Sequence, residues 1–206
     1  MPRVDRHLVV TFVLLVACAV SFGCSGGGST VAPSASPAPA PAPLLTIVEV
    51  TAKVLFQLGG PGASPFEVGQ SVTIPQPYSY TGVRFSWLDR NGVPETPIGS
   101  MVIFTREYAG LPRDMSSSPG FLARAVGIDG TDFVFDDKVV LNPGAMYWFL
   151  EETPVVLAHW TTVGSVDVYP GGDLYNSGDT SPYVRVHRTA FDEPNDAAFR
   201  LSGHPR

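Results

Sequence analysis

From residue 44 onward, glycine and proline turns cut this chain's apolar runs repeatedly, and that spacing limits what it can fold into. The breaks include Gly59-Gly60-Pro61-Gly62, Pro75-Gln76-Pro77, Asp89-Arg90-Asn91-Gly92, Asp129-Gly130 and Asn142-Pro143-Gly144. Proline presets φ and glycine supplies φ > 0, so each is a turn with a mechanism. The runs between them are short for helices, and several alternate with a period of two. Residues 80–88 set Val83, Phe85 and Trp87 on one face and Arg84 and Ser86 on the other. Residues 133–150 read as a central hairpin. In it Phe133 and Phe135 alternate with Val134 and Asp136, an apolar run follows at 139–141, and the turn leads into Met146-Tyr147-Trp148-Phe149-Leu150. Residues 45–58, 66–74, 98–108, 121–128, 155–163, 166–169, 183–187 and 197–201 read as further strands. A polar loop spans 109–119, and no amphipathic helix is apparent. About ten strands at this spacing predict an all-β fold, an antiparallel sandwich or barrel.

The charge balance narrows the partners. Formal charge is −6, and the two lysines, Lys53 and Lys138, lie in no basic run. That excludes a nucleic-acid footprint and disfavours anionic polymers generally. Both cysteines, Cys18 and Cys24, fall near the N-terminus. The body is therefore neither a disulfide scaffold nor a thiolate metal site. Its stability comes from buried apolar area, which about 160 residues supply without staples.

The N-terminus reads as an address. Arg3 and Arg6 precede an apolar stretch at 8–20, which is too short to span a bilayer of roughly 20 apolar residues. It ends at Ser21-Phe22-Gly23-Cys24, followed by Ser25-Gly26-Gly27-Gly28-Ser29. Small residues before a cysteine, then a Gly/Ser tether, resemble the lipobox of bacterial lipoproteins. The resemblance implies a leader at 1–23, cleaved before Cys24, and lipid on the Cys24 thiol. Leu15-Val16-Ala17-Cys18 matches the lipobox better letter by letter. Using Cys18, however, shortens the hydrophobic core and leaves Cys24 as a free thiol. Ser25 after the cysteine resembles the outer-membrane sorting pattern of cells with two membranes, which places the protein in the envelope or at the cell surface. Residues 24–43 form the expected tether, a Gly/Ser/Ala/Pro stretch too poor in apolar bulk to repay its ordering entropy. Its Ala-Pro repeats favour polyproline II at about 3.1 Å per residue.

Residues 44–206 are then one folded domain. Gly69-Gln70-Ser71-Val72-Thr73-Ile74, Tyr80-Thr81-Gly82-Val83-Arg84-Phe85, Val140-Leu141-Asn142-Pro143-Gly144 with Tyr147, Tyr169-Pro170-Gly171-Gly172-Asp173-Leu174-Tyr175 and Asp196-Ala197-Ala198-Phe199-Arg200-Leu201 follow in order. Together they resemble the jelly-roll modules of bacterial extracellular proteins called choice-of-anchor domains, over residues 54–203. The resemblance implies a jelly-roll β-sandwich, and it carries no catalytic residues.

Chemistry-bearing residues are sparse. Glu151-Glu152 and Asp136-Asp137 are adjacent pairs whose members point to opposite faces of a strand, so neither pair shares a cleft. Asp192, Glu193 and Asp196 read as solvated turn residues. His159, His187 and His204 lack metal-ligand spacing. Asp129 and Asp132 could offer oxygens to calcium, but Asp-Gly-Thr-Asp is generic, and no metal or cofactor is assigned. No nucleophile elbow occurs, so no enzyme is expected. Trp160 beside His159, with Tyr169, Tyr175 and Asn176, is the candidate platform for stacking a sugar ring. Trp87 and Trp148 are expected in the core. The expectation is a binding module for a glycan or envelope protein, held to a membrane by lipid. The alternative is an adhesive domain working through protein contacts.

Overall fold

Alternation along residues 80–88 sorts the side chains as the sequence requires. Val83, Phe85 and Trp87 are buried on one face, and Arg84 is half-buried on the other. The structure is a computed structural model in which the described residues are 42–51, 55–58, 66–153, 159–162, 167–178, 181–188 and 193–206. Of 55–58, 159–162, 187–188 and 193–194 it describes the backbone alone. The chain divides into Met1–Pro39 and Ala40–Arg206, and every described residue belongs to the second unit. The leader, Cys18, Cys24 and the tether through residue 41 lie outside the described residues.

Fifteen strands are described, in this order. They begin with β1 (Leu45–Val50), β2 (Leu55–Leu58), β3 (Phe66–Thr73), β4 (Tyr80–Trp87) and β5 (Met101–Phe104). A 3-10 helix, Pro112–Ser117, precedes β6 (Phe121–Arg124), β7 (Gly127–Asp129), β8 (Asp132–Val134) and β9 (Met146–Glu151). The last are β10 (His159–Thr162), β11 (Leu174–Gly178), β12 (Ser181–Arg185), β13 (His187–Arg188), β14 (Glu193–Pro194) and β15 (Phe199–Pro205). A five-stranded sheet runs β1-β15-β4-β8-β7 and a six-stranded sheet runs β12-β11-β3-β9-β5-β6. Pairs β10-β2 and β13-β14 form two small ribbons, and every ladder is antiparallel. The chain crosses repeatedly between the two large sheets, which pack as an antiparallel sandwich. Among the described residues no helix is long and apolar enough to cross a membrane.

The main core fills the space between the sheets. Phe85, Phe133 and Phe199 come from one sheet, and Val72, Ile103 and Phe149 from the other. Phe85 sits at its centre, with the Trp87, Phe149 and Phe199 rings at 4.7, 5.1 and 5.5 Å. A second cluster lies on the other side of the six-stranded sheet. The outward residues Val102, Phe104, Leu150, Tyr175 and Tyr183 are roofed there by Tyr108 and Met115 of the 105–120 connection. Gly110 accepts a hydrogen bond from the Tyr183 backbone N–H at 3.0 Å, which pins that connection across the sheet as a strap.

Several expected elements are rearranged: the described part of 166–169, residues 167–169, forms no strand, and 183–187 runs from the end of β12 into β13, which belongs to a different sheet. Residues 45–58 form two strands, β1 and β2, in different sheets. Residues 121–128 likewise split into β6 and β7, the free edges of the two large sheets. The expected hairpin over 133–150 is a corner instead: β8 belongs to the five-stranded sheet and β9 to the six-stranded one. The turn chemistry is as anticipated, since Gly144 has φ 74° and the Ala145 N–H reaches the Asn142 carbonyl at 3.3 Å. What differs is the pairing of the approaching segment. Phe135 and Leu141 bond to Val83 and Tyr80 of β4 rather than to β9.

Candidate functional site

Of the expected platform residues whose side chains are described, Tyr169 packs against the main core and Tyr175 belongs to the second cluster, so these two do not converge. His159 and Trp160 lie on β10, whose backbone pairs with β2, and their side chains lie outside the described residues. Tyr169 turns inward. Its hydroxyl donates to the Thr73 carbonyl at 3.0 Å, its ring packs edge-on against Phe199, and burial pushes its hydroxyl up to about 12. Tyr175 points to the opposite side of the six-stranded sheet and is only 3% exposed. Asn176, the next residue, faces the other way because strand side chains alternate. It shares a register position with Val68 of the main core, whereas Tyr175 shares one with Gly69.

Acidic side chains are committed to holding the sandwich together. Glu151 is buried and accepts from the Trp87 indole at 2.9 Å and from the Val68 backbone at 3.0 Å. Its backbone carbonyl takes the Tyr183 hydroxyl at 2.5 Å, and burial drives that hydroxyl's pKa well up. Glu67, also buried, accepts from Ser177 at 3.1 Å. Asp196 accepts from Gln70 Nε2 and from the Tyr169 N–H, each at 3.0 Å. Gln70 Oε1 takes the Ala197 N–H in return, which closes a buried polar knot between the sheets. Asp129 and Asp132, the residues with oxygens suited to calcium, close on Arg84 at 2.8 and 3.5 Å, and Asp132 also accepts from Ser86. His204 Nδ1 lies 2.6 Å from the Ala42 carbonyl. Among the described residues no three His, Cys, Asp or Glu side chains stand together as metal ligands.

Trp148 departs from the core role expected of it. Tyr147 and Phe149 enter the main core, so Trp148 stands on the strap side of the six-stranded sheet, half-buried against the second cluster. Its Nε1 is buried with no acceptor in hydrogen-bonding geometry, and the Tyr175 hydroxyl is its polar neighbour. Across the strands the register lines up Ser71, Trp148, Phe104 and Phe121. Asp173 continues that row by exchanging bonds with Ser71, its N–H donating to Ser71 Oγ at 2.8 Å. Arg185, in register with Tyr175, pairs with Asp173. The face thus carries an indole, a phenol and an ion pair. The period-two pattern of Tyr147-Trp148-Phe149 held the signal that one of the three must point away.

No protein-family model matches the chain, and no curated protein matches it.

Proposed function

We propose that this chain is a lipid-anchored protein of the bacterial envelope whose β-sandwich is a non-catalytic module binding a glycan or another envelope component. The observation that carries the non-catalytic part is the commitment of the buried carboxylates. A glycosidase needs two carboxyl groups facing one cleft, about 5–9.5 Å apart. Glu67, Glu151 and Asp196 instead accept hydrogen bonds from buried donors within the sandwich. Such groups brace a scaffold, and recognition falls to its outer faces and loops.

In this reading Cys24 carries the lipid, residues 1–23 are removed, and residues 25–43 hold the domain off the membrane. Two or more acyl chains make such an anchor stable, because each buried methylene contributes about 0.8 kcal/mol. The test is fractionation of the full chain expressed in a bacterial host. The wild type and Cys18→Ala should sediment with membranes, and Cys24→Ala should not. Release by Cys18→Ala alone would move the anchor to Cys18 and overturn the leader boundary.

One observation favours protein contacts as a second reading. β6 and β7 end the two large sheets within a single run of chain, where Leu122, Val126 and Ile128 are 38%, 67% and 44% exposed. Free edges with exposed apolar side chains are templates for another strand.

A further inference from the structure

We propose that the end of the sandwich at which the chain enters is a membrane-docking surface, its exposed Leu44, Leu45, Tyr78 and Met146 seating in the interface of the bilayer that holds the Cys24 lipid. This rests on the lipid-anchor reading and adds to it a docked state and the residues that make it.

Strand directions gather these residues at one end. β1 opens with Leu45 opposite Gly203, and β4 opens with Tyr80 opposite Pro205. The Arg206 N–H donates to the Ser79 carbonyl at 2.9 Å, so the chain leaves β15 next to Tyr78. β3 ends at Thr73 opposite Met146, which opens β9, and the residues after Thr73 lead directly into β4. Leu44, Leu45, Tyr78 and Met146 are 44%, 43%, 52% and 37% exposed. Pro75, Gln76 and Pro77 are exposed beside them and bring no charge. An apolar ring with a polar hydroxyl, as at Tyr78, suits the boundary between headgroups and acyl chains.

The root of the tether selects the occupant. His204 Nδ1 lies 2.6 Å from the Ala42 carbonyl, which holds the N-terminal segment to this end of the sandwich. Between Cys24 and that root the chain reaches roughly 60 Å when extended. A lipid on Cys24 therefore keeps this end within range of the bilayer. Such tethering sets an effective concentration on the order of millimolar, so a patch too weak to bind from free solution is still occupied. Val93 and Ile98 are 57% and 55% exposed at the far end, beyond the close of β4, where no tether is rooted. Charge at the entry end is mixed, with Asp136 and Asp137 against Lys138 and Arg206, all exposed. No excess of positive charge draws anionic headgroups, so the docking is apolar and indifferent to headgroup charge.

The experiment uses the full chain purified from bacterial membranes and reconstituted in vesicles of phosphatidylcholine, with or without phosphatidylglycerol. Once Cys18 leaves with the leader and Cys24 carries the lipid, Tyr78→Cys supplies a single free thiol for a bimane label. Bimane is itself a flat apolar ring and takes the place of the phenol. Val93→Cys at the far end is the control, and the unsubstituted chain gives the blank. Lipids bearing a nitroxide near the headgroup quench what lies at the interface. The expected result is quenching at least about threefold stronger at position 78 than at 93 in both kinds of vesicle. Adding Leu44→Ser and Met146→Ser to the Tyr78→Cys chain should remove most of that difference, because interfacial binding scales with buried apolar area. Circular dichroism melts confirm the fold. Leu44 precedes β1, so Leu44→Ser alone decides if Met146→Ser melts low. Equal quenching at 78 and 93 in protein that sediments with the vesicles overturns the docking and leaves the anchor standing. Quenching that needs phosphatidylglycerol and disappears in high salt means electrostatic attraction and overturns the apolar surface. Protein that stays in the supernatant overturns the anchor and the docked state together.

Discussion

Glu151 closes β9 and Glu152 follows it, yet the two adjacent carboxylates do opposite work. Strand alternation separates them, as the sequence anticipates, and only one is buried. Glu151 satisfies two buried donors, Trp87 Nε1 and the Val68 N–H. Its loss strands both at about 1–3 kcal/mol each, so Glu151→Ala should cost roughly 2–5 kcal/mol and Glu151→Gln distinctly less. Glu152 pairs with Arg124 at 2.6 Å on the surface, where such a bridge is worth about 0–1 kcal/mol. Glu152→Ala should therefore be nearly silent in urea unfolding. Equal midpoint shifts for the two variants would refute the brace. The opposed directions are legible from a period of two. The partner is not, because Trp87 lies 64 residues upstream and only folding brings it near. Trp148 repeats that lesson: its neighbours' alternation marks it as outward, while its aromatic bulk invites a core assignment.

At the scale of elements, turns are legible and pairings are less so. Asp89-Arg90-Asn91-Gly92 makes the hairpin its residues announce. Asp89 Oδ1 takes the Asn91 and Val93 N–H groups at 2.7 and 2.8 Å, and Gly92 has φ 77°. Asn142-Pro143-Gly144 makes an equally good turn but joins two sheets, because turn chemistry fixes a change of direction and says nothing about which edge the next strand meets. The turn before β11 shows how such segments dock. Gly172 lies so close to β3 that an added Cβ would stand 1.7 Å from the Ser71 carbonyl oxygen. Backbone cannot retreat cheaply, so Gly172→Ala should destabilise by about 1–3 kcal/mol or more. Gly127 on exposed β7 meets nothing within 4 Å, and Gly127→Ala should leave the melting temperature unchanged or slightly raised. Thermal melts of the two variants separate contact from composition. Similar losses would mean that the close approach on β3 is not what makes Gly172 necessary.

For the molecule as a whole, the long-range polar knot at Asp196 ties the six-stranded sheet to the segment leading into β15, and it makes folding sensitive to pH. Burial raises the Asp196 carboxyl from 3.8 to about 7, with the charges of Asp167 and Asp173 adding to the rise and bonds from Gln70 and Tyr169 opposing it. A carboxyl whose folded pKa lies above its unfolded value holds its proton more tightly in the native state. Between about pH 4 and pH 7 the folded protein therefore binds more protons than the unfolded chain, and stability falls as pH rises. The contribution is complete below the unfolded value and is lost once the pH passes about 7. A shift from 3.8 to about 7 amounts to something on the order of 4 kcal/mol across that window. Asn at this position keeps an acceptor for Gln70 Nε2 but forfeits the one facing the Tyr169 N–H, so Asp196→Asn should be less stable than the wild type at pH 4. It carries no titrating group, however, so its disadvantage should shrink or reverse by pH 8. The measurement is urea unfolding of both proteins from pH 4 to 8, read as the difference between their free energies. A difference that does not change with pH would mean that Asp196 ionises in the folded protein as it does in the unfolded chain. The knot would then be an ordinary set of hydrogen bonds with no hold on how this sandwich responds to acid.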